Sequence, residues 1–423
     1  MKDNHKACCL SASEMKFYQD FVNNPGGHAG NFTKLYKFTA PVDVDQLAEA
    51  ISVAINAHKA FSLRIFLNEN GEPRQYIDTD YIFTQAVEVM SDEQFSAEQQ
   101  HIVGKFRLFD EPLFHSRLIQ TPSAVYWFCE INHVIMDSNS LLILYNDVTK
   151  AYNGEELPME DWTPCDIAEY EMRNESTETF RASVETLKDE WRECEGCYPI
   201  PDIHEKLFSI KKKFATLDID LNAIRTFTDA TGCSLSALSA AACSLLLAFS
   251  SGNRNAALVT GYNCRNKPQV ERTFAMVTKY LLFTVPFDKS ITPSEFALRA
   301  MNATSDGRSN VDGNLTAIKE LNMDFANFMP FIFQGSMLGK IIRPFIANQQ
   351  AENVSLSLSS NTDLKPFNVH FMFSDGKPKI MILCHGNKYS DALIDKFADN
   401  FQTILRMLPT AGSIGEIMDN LKK

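Results

Sequence analysis

Apolar positions recur along this chain at two spacings, and the spacing switches from segment to segment. Val44, Leu47, Ile51, Ala54 and Ile55 lie on one face of a 3.6-residue period, which predicts an amphipathic helix over 44–58. Shorter apolar runs bounded by turn residues predict strands at 35–39, 61–67, 73–77, 113–120 and 125–133. Asn68-Glu69-Asn70-Gly71 joins the second of these to the third as a hairpin through its Asn-Gly signal. Ser11, with Glu14 three residues on, predicts a capped helix start. Pro25 to Gly30 breaks that helix, and helical stretches follow at 92–106 and 141–152. After Tyr152 the chain turns acidic and turn-rich through 155–164, and polar-faced helices follow at 166–174 and 177–195.

The mixture then repeats. Strands are expected at 212–219, 256–262, 279–287, 328–334, 354–360, 366–373 and 379–385. Helices are expected at 221–231, 235–249 and 391–408, the Ala-rich middle one apolar on nearly all sides and so buried. Strands and helices mix without strict alternation, which predicts an α+β protein with largely antiparallel or mixed sheets. The polar stretch in the middle sets the boundaries: a first lobe over 1–175, a linker helix over 176–205 and a second lobe over 206–423.

Chemistry concentrates in Trp127-Phe128-Cys129-Glu130-Ile131-Asn132-His133-Val134-Ile135-Met136-Asp137-Ser138. Alternation places His133 at the open end of the row Trp127, Cys129, Ile131, with Asn132 on the other face beside Tyr126, Phe128 and Glu130. Asp137 stands just before the next helix, placed to cap it or to reach back toward the imidazole. A neutral imidazole, with its ordinary pKa near 6.5, can take a proton from an attacking amine or hydroxyl and return it. The bland reading is a satisfied histidine at a strand end and an ordinary helix cap. One His and one Asp are too few for a zinc site, and Cys194-Glu195-Gly196-Cys197 has no second pair to complete one. No phosphate-cradling glycine loop is present.

Composition narrows the picture further. At 423 residues with 45% hydrophobic content, the chain is ample for two cored lobes. A net charge of −13 with scattered Lys and Arg argues against a nucleic-acid partner. The polar N-terminus, and the lack of any run of about 18 apolar residues, predict a cytoplasmic protein with no membrane association. Dispersed cysteines inside apolar runs, such as Cys129, Cys243 and Cys384, suit reduced thiols.

These segments together carry a resemblance. Leu10-Ser11-Ala12-Ser13-Glu14-Met15 is similar to the opening Leu-Ser-x-Ala-Gln of condensation domains of the nonribosomal peptide synthetase type, in the chloramphenicol-acetyltransferase-like superfamily. The block from His58 to Phe66 resembles the family's Leu-Arg-x-Arg-Phe block, and Asn132 to Ser138 stands where its His-His-x-x-x-Asp-Gly signature does. Asp166-Ile167-Ala168 resembles the Asp-Tyr-Ala segment, and Asn263-Cys264-Arg265-Asn266-Lys267-Pro268 the Ser-Gly-Arg-x-x-Pro stretch.

The resemblance implies two acetyltransferase-like lobes forming a V-shaped pseudodimer with a central tunnel. His133 would be the catalytic histidine, Asp137 its structural partner, and Asn132 and Ser138 tunnel residues flanking the motif. Phe61-Ser62 replaces the Leu-Arg pair, so the aspartate's usual partner is missing. Arg64, two residues on and on the same strand face, is the expected substitute. The activity implied is amide formation, an acceptor amine attacking a thioester on the phosphopantetheine arm of a carrier protein. No permanently bound cofactor or metal is expected, carriers act in trans, and the protein is a monomer. Two other readings stay open: a free-standing acyltransferase acting on a small amine or alcohol, and a non-catalytic recruitment domain suggested by Asn132, Ser62, Ser138 and the altered segment 278–283. Lys211, Lys212 and Lys213 form either a carrier-docking patch or a solvated strand edge.

Overall fold

The computed structural model describes residues 6–23, 31–104, 106–253, 256–265, 267–335, 337–356, 365–374 and 376–422. It divides into two compact units. The first comprises Met1–Asn174, Asn263–Thr278 and Gly339–Asp363, the second Glu175–Tyr262, Lys279–Leu338 and Leu364–Lys423. The division after Asn174 lies at the polar stretch, but two late segments that the sequence reading put in the second lobe pack with the first. Their reasons are physical. Glu352–Val354 adds an antiparallel edge strand beside Asn31–Phe38, and Val270, Ala275 and Val277 bury themselves against Ile167 of helix Pro164–Asn174. The helix Glu178–Trp191, read as part of a separate linker, groups with the second unit.

In the first unit the described strands form a five-stranded sheet in the order Glu352–Val354, Asn31–Phe38, Val125–Asn132, Phe114–Gln120, Val87–Val89. The strand Val125–Asn132 is its centre, paired antiparallel on both sides and buried on both faces. One face carries Tyr126 and Phe128 against Leu35, Phe95 and Ile119. On the other, Trp127 meets Tyr36 and Tyr145 of helix Ser138–Tyr152. A strand covered on both faces reads as one apolar run, as this one does.

The predicted hairpin forms, but it stands apart: Leu63–Leu67 pairs only with Pro73–Ile77 among the described strands, in a separate two-stranded sheet. Gly71 takes the left-handed backbone its turn needs (φ 75°). Phe61 and Ser62, expected in the strand, lie in a 3₁₀ turn, Lys59–Ser62. The helix expected over 92–106 stops at Glu98. The N-terminal helix Ala12–Asn23 starts on the predicted cap, with Ser11 N–H donating to Glu14 (2.7 Å) and Glu14 N–H to Ser11 Oγ (3.3 Å). The turn read at Pro25 to Gly30 lies outside the described residues, as does most of the strand read at 354–360.

The second unit holds a mixed sheet in the order Lys279–Phe283, Ala256–Tyr262, Met329–Gly335, Phe367–Ser374, Lys377–His385, Ile210–Thr216. Met329–Gly335 runs parallel to both its neighbours, and the remaining pairs along this path are antiparallel. The Ala-rich helix Leu235–Ser251 is buried along nearly its whole length against this sheet and the closing helix Asp391–Met407. The helix Pro293–Ser309 has no counterpart among the expected elements, although Thr292 and Glu295 form a capping box and Pro293 sits at its first residue.

Candidate active site

The central strand ends at Asn132, and His133 opens a 3₁₀ turn, His133–Ile135, before Asp137 starts the next helix. Buried Asn132 makes that break. Its side-chain oxygen accepts from Val134 N–H (2.9 Å) while its amide donates to Asn31 across the sheet (3.0 Å). His133 is thus lifted out of the strand's row and held by its own turn: Nδ1 lies 3.2 Å from the Met136 carbonyl. A carbonyl only accepts, so the proton sits on Nδ1 and Nε2 keeps its lone pair. The ring stacks on Phe17 of the N-terminal helix, centroids 5.2 Å apart. Burial lowers the His133 pKa below its ordinary value, outweighing the Met136 hydrogen bond and the charge of Asp137. The ring is therefore neutral at neutral pH.

Asp137 is buried and makes no hydrogen bond to His133. Its Oδ1 accepts from the N–H groups of Asn139 (3.0 Å) and Ser140 (2.9 Å), capping the helix. The same oxygen takes Arg265 Nη2 at 3.0 Å, and Oδ2 accepts from Val277 N–H (3.3 Å) and Thr278 Oγ1 (3.2 Å). The guanidinium partner of Asp137 is therefore Arg265, in the segment Asn263 to Pro268 already picked out by its motif but given no role. Arg64, the expected substitute, is elsewhere: its side chain lies over the Tyr81 ring (4.4 Å), 3.7 Å from Asp78, and donates to the Leu63 carbonyl. It sits on the detached hairpin, so sharing a strand face with Ser62 never brought it to Asp137. Ser138 is exposed at the first residue of the helix.

A second buried network was not foreseen. His58 presents Nδ1 to Glu160 (2.7 Å) and Nε2 to Asp147 (3.0 Å), and Arg272 grips both oxygens of Asp147 (3.1 and 3.0 Å). Glu160 also accepts from Phe274 N–H (2.7 Å). Burial works against a charged ring here, but the hydrogen bonds to Asp147 and Glu160 outweigh it and raise the His58 pKa. Burial likewise opposes ionisation of Asp147, yet His58 and Arg272 hold its carboxyl below the ordinary range. The signal in the sequence was an isolated His among apolar residues, which by itself names no partners.

Two other segments singled out in the sequence have the following geometry. Cys194 and Cys197 line a cavity of about 360 Å³ with Tyr198 and Asp324, and no metal-binding group of three or more His, Cys, Asp or Glu occurs among the described residues. Burial pushes the Cys194 thiol up to about 12. The lysine run lies on the edge strand Ile210–Thr216. Lys211 pairs with Asp391 (3.3 Å) and Lys213 with Asp395 (2.5 Å), so two of the three charges are engaged by the closing helix. Among the described residues no single helix is long and apolar enough to cross a membrane.

Comparison with known proteins gives one family and one fold. The family model described as the condensation domain matches residues 11–413. A plipastatin synthase of Bacillus subtilis (strain 168) is 31% identical over 130 residues, which cover 29% of this chain and 5% of that protein. Tyrocidine synthase 3 of Brevibacillus parabrevis is 25% identical over 150 residues, 35% of this chain and 2% of that protein. The chain thus spans only a small fraction of the length of these curated relatives. Among solved structures, the condensation domain from Monacolin K polyketide synthase MokA superposes with a TM-score of 0.78 at 12% identity, covering 97% of this chain and 98% of the other. The starter condensation domain of rhizomide synthetase RzmA, solved with C8-CoA, gives 0.74 at 14% identity over 97% of both chains.

Proposed function

The chain belongs to the condensation-domain family, whose members are acyltransferases that form amide bonds from thioester substrates, and on that premise we propose that His133 Nε2 is the base that serves this reaction. The acceptor nitrogen attacks the thioester carbonyl, a C–N bond forms, and the C–S bond breaks as the tetrahedral intermediate collapses. Nε2 takes the proton that the nitrogen sheds and returns it to the departing thiolate. The observation that carries this reading is the tautomer: a ring that donates from Nδ1 to the Met136 carbonyl, and is kept neutral by burial, offers a lone pair at Nε2. Asp137 and Arg265 are positioning residues in this scheme. The helix N–H groups of Asn139 and Ser140 are taken up by Asp137 and so are not donors for the oxyanion. The exposed Ser138 hydroxyl is the donor we assign to it, and Asn132 holds the turn.

Nonribosomal condensation domains act on substrates carried by phosphopantetheine. The finer reading is that this chain works in the cytoplasm as a monomer on donors delivered by carrier proteins in trans, without a resident cofactor. Mixing the purified protein with carrier-loaded acyl thioesters and amine acceptors, and reading the products by mass spectrometry, is expected to reveal an amide that disappears in His133→Ala. Undiminished product from a folded His133→Ala removes the base assignment. Equal use of a small-molecule thioester turns the reading to a free-standing acyltransferase.

A further inference from the structure

The segment before the N-terminal helix runs along helix Pro164–Asn174, joined to it at four successive points. Lys6 pairs with Glu169, Cys8 Sγ lies 2.7 Å from Cys165 Sγ, Cys9 Sγ approaches the Ala168 carbonyl (3.9 Å), and Ala12 N–H donates to Glu171 (2.8 Å). On its other side Cys8 exchanges both backbone hydrogen bonds with Gln75 (2.8 and 3.0 Å). The segment leads directly into the helix that carries Phe17 against His133 and Ser13, whose hydroxyl donates to the Thr278 carbonyl (3.0 Å) while Thr278 Oγ1 donates to Asp137. The strap thus leads into a helix that contacts His133 directly and Asp137 through Thr278, and its midpoint rests on a pair of thiols 157 residues apart in sequence.

We propose that Cys8 and Cys165 are a modification site for thiol oxidants, closing to a disulfide that clasps the N-terminal strap to helix Pro164–Asn174. With a hydroperoxide the two thiols give up two electrons and two protons, the peroxide O–O bond breaks, and water and the reduced oxidant's hydroxyl leave. With a small disulfide, two exchange steps pass through a mixed disulfide and release two small thiols. Both routes have access on the Cys8 side, where a cavity of about 780 Å³ is lined by Cys8, Cys9, Lys6, Arg74, Glu169 and Met172. The neighbouring Cys8 thiol and burial hold the Cys165 thiol well above its ordinary range. Cys9 is the control, since it adjoins Cys8 in sequence but faces a carbonyl instead of a sulfur. The inference does not depend on the acyl-transfer reading.

The test uses the whole chain, treated with hydrogen peroxide or oxidised glutathione and then mapped by non-reducing peptide mass spectrometry. The expected product is a peptide pair linked through Cys8 and Cys165, formed by wild type and Cys9→Ser, absent from Cys8→Ser and Cys165→Ser, and removed by reductant. Oxidation is expected to raise the wild-type melting temperature by about 5 °C, given the long loop closed. It should also slow amide hydrogen exchange across residues 12–23. A linkage through Cys9, or no linkage at all, overturns the site. Linkage without slower exchange in 12–23 overturns the clasp.

Discussion

Two histidines of the first unit, His58 buried and His133 half-buried, carry opposite charge tendencies. His133 faces one carbonyl and one phenyl ring; His58 faces two carboxylates backed by an arginine. Burial acts on both in the same direction, so the groups presented to the ring decide the outcome: a neutral ring with a lone pair to lend, or a charged ring that cements its surroundings. Chemistry needs the first arrangement and architecture the second, and neither is recognisable from the residue type.

The sharpest way to break the comparison is to remove each ring. His133→Ala is expected to lower kcat/KM by about 10²–10⁴-fold with its melting temperature nearly unchanged. His58→Leu, which takes the shared imidazolium from two buried carboxylates, is expected to cost about 3–5 kcal/mol of stability while the folded fraction keeps most of its turnover. Denaturant titration beside steady-state kinetics separates the two. If His58→Leu abolishes turnover in a folded protein, or His133→Ala unfolds it, the division of roles fails.

Next in size is Arg265→Ala. Backbone and hydroxyl donors to Asp137 remain, so the expected loss is about 1–3 kcal/mol, with a fall in kcat that Arg64→Ala does not reproduce. Equal effects on kcat would restore Arg64 as the aspartate's support.

The smallest effect is the dependence on pH. Because the His133 pKa is lowered, the acid limb of kcat/KM is expected below the ordinary histidine value of about 6.5, and a limb above it would mean a different base. The stability terms have opposite signs. His133, with its folded pKa depressed, contributes stability that is lost as pH falls from about 6.5 toward that folded value. His58, with its folded pKa raised, contributes stability that is complete below about 6.5 and lost as pH rises through the folded value. Unfolding curves of His58→Gln and wild type are expected to converge on the alkaline side; parallel curves across that window would remove the imidazolium from the account.

Much of the fold was legible because it is written in local periods. The helix Leu221–Thr231 and the strands Pro73–Ile77 and Ala256–Tyr262 begin and end where apolar spacing and turn residues place them. The α+β mixture followed from their order. Arg64 shows where such reasoning stops: alternation says which face of a strand a residue occupies, but not which sheet the strand joins, and Leu63–Leu67 joins neither large sheet. The Asp137–Arg265 pair spans 128 positions, and no local pattern spans that distance. The missed helix Pro293–Ser309 is a different failure. Its start signals at Thr292, Pro293 and Glu295 were readable, but few of its residues are apolar, and Phe296, Ala297 and Ala300 make only a narrow stripe.

The late segment that completes the first unit also has a consequence in time. Translation adds about 5–20 residues per second, so the 128 positions between Asp137 and Arg265 correspond to a wait of roughly 6–25 s. During that wait a nascent chain that has already made the motif strand and helix holds Asp137 without its guanidinium, and His58, Asp147 and Glu160 without Arg272. The amino-terminal half emerges from the ribosome first yet waits for later segments to finish it, leaving an interval in which a chaperone has an unfinished ionic interior to shelter.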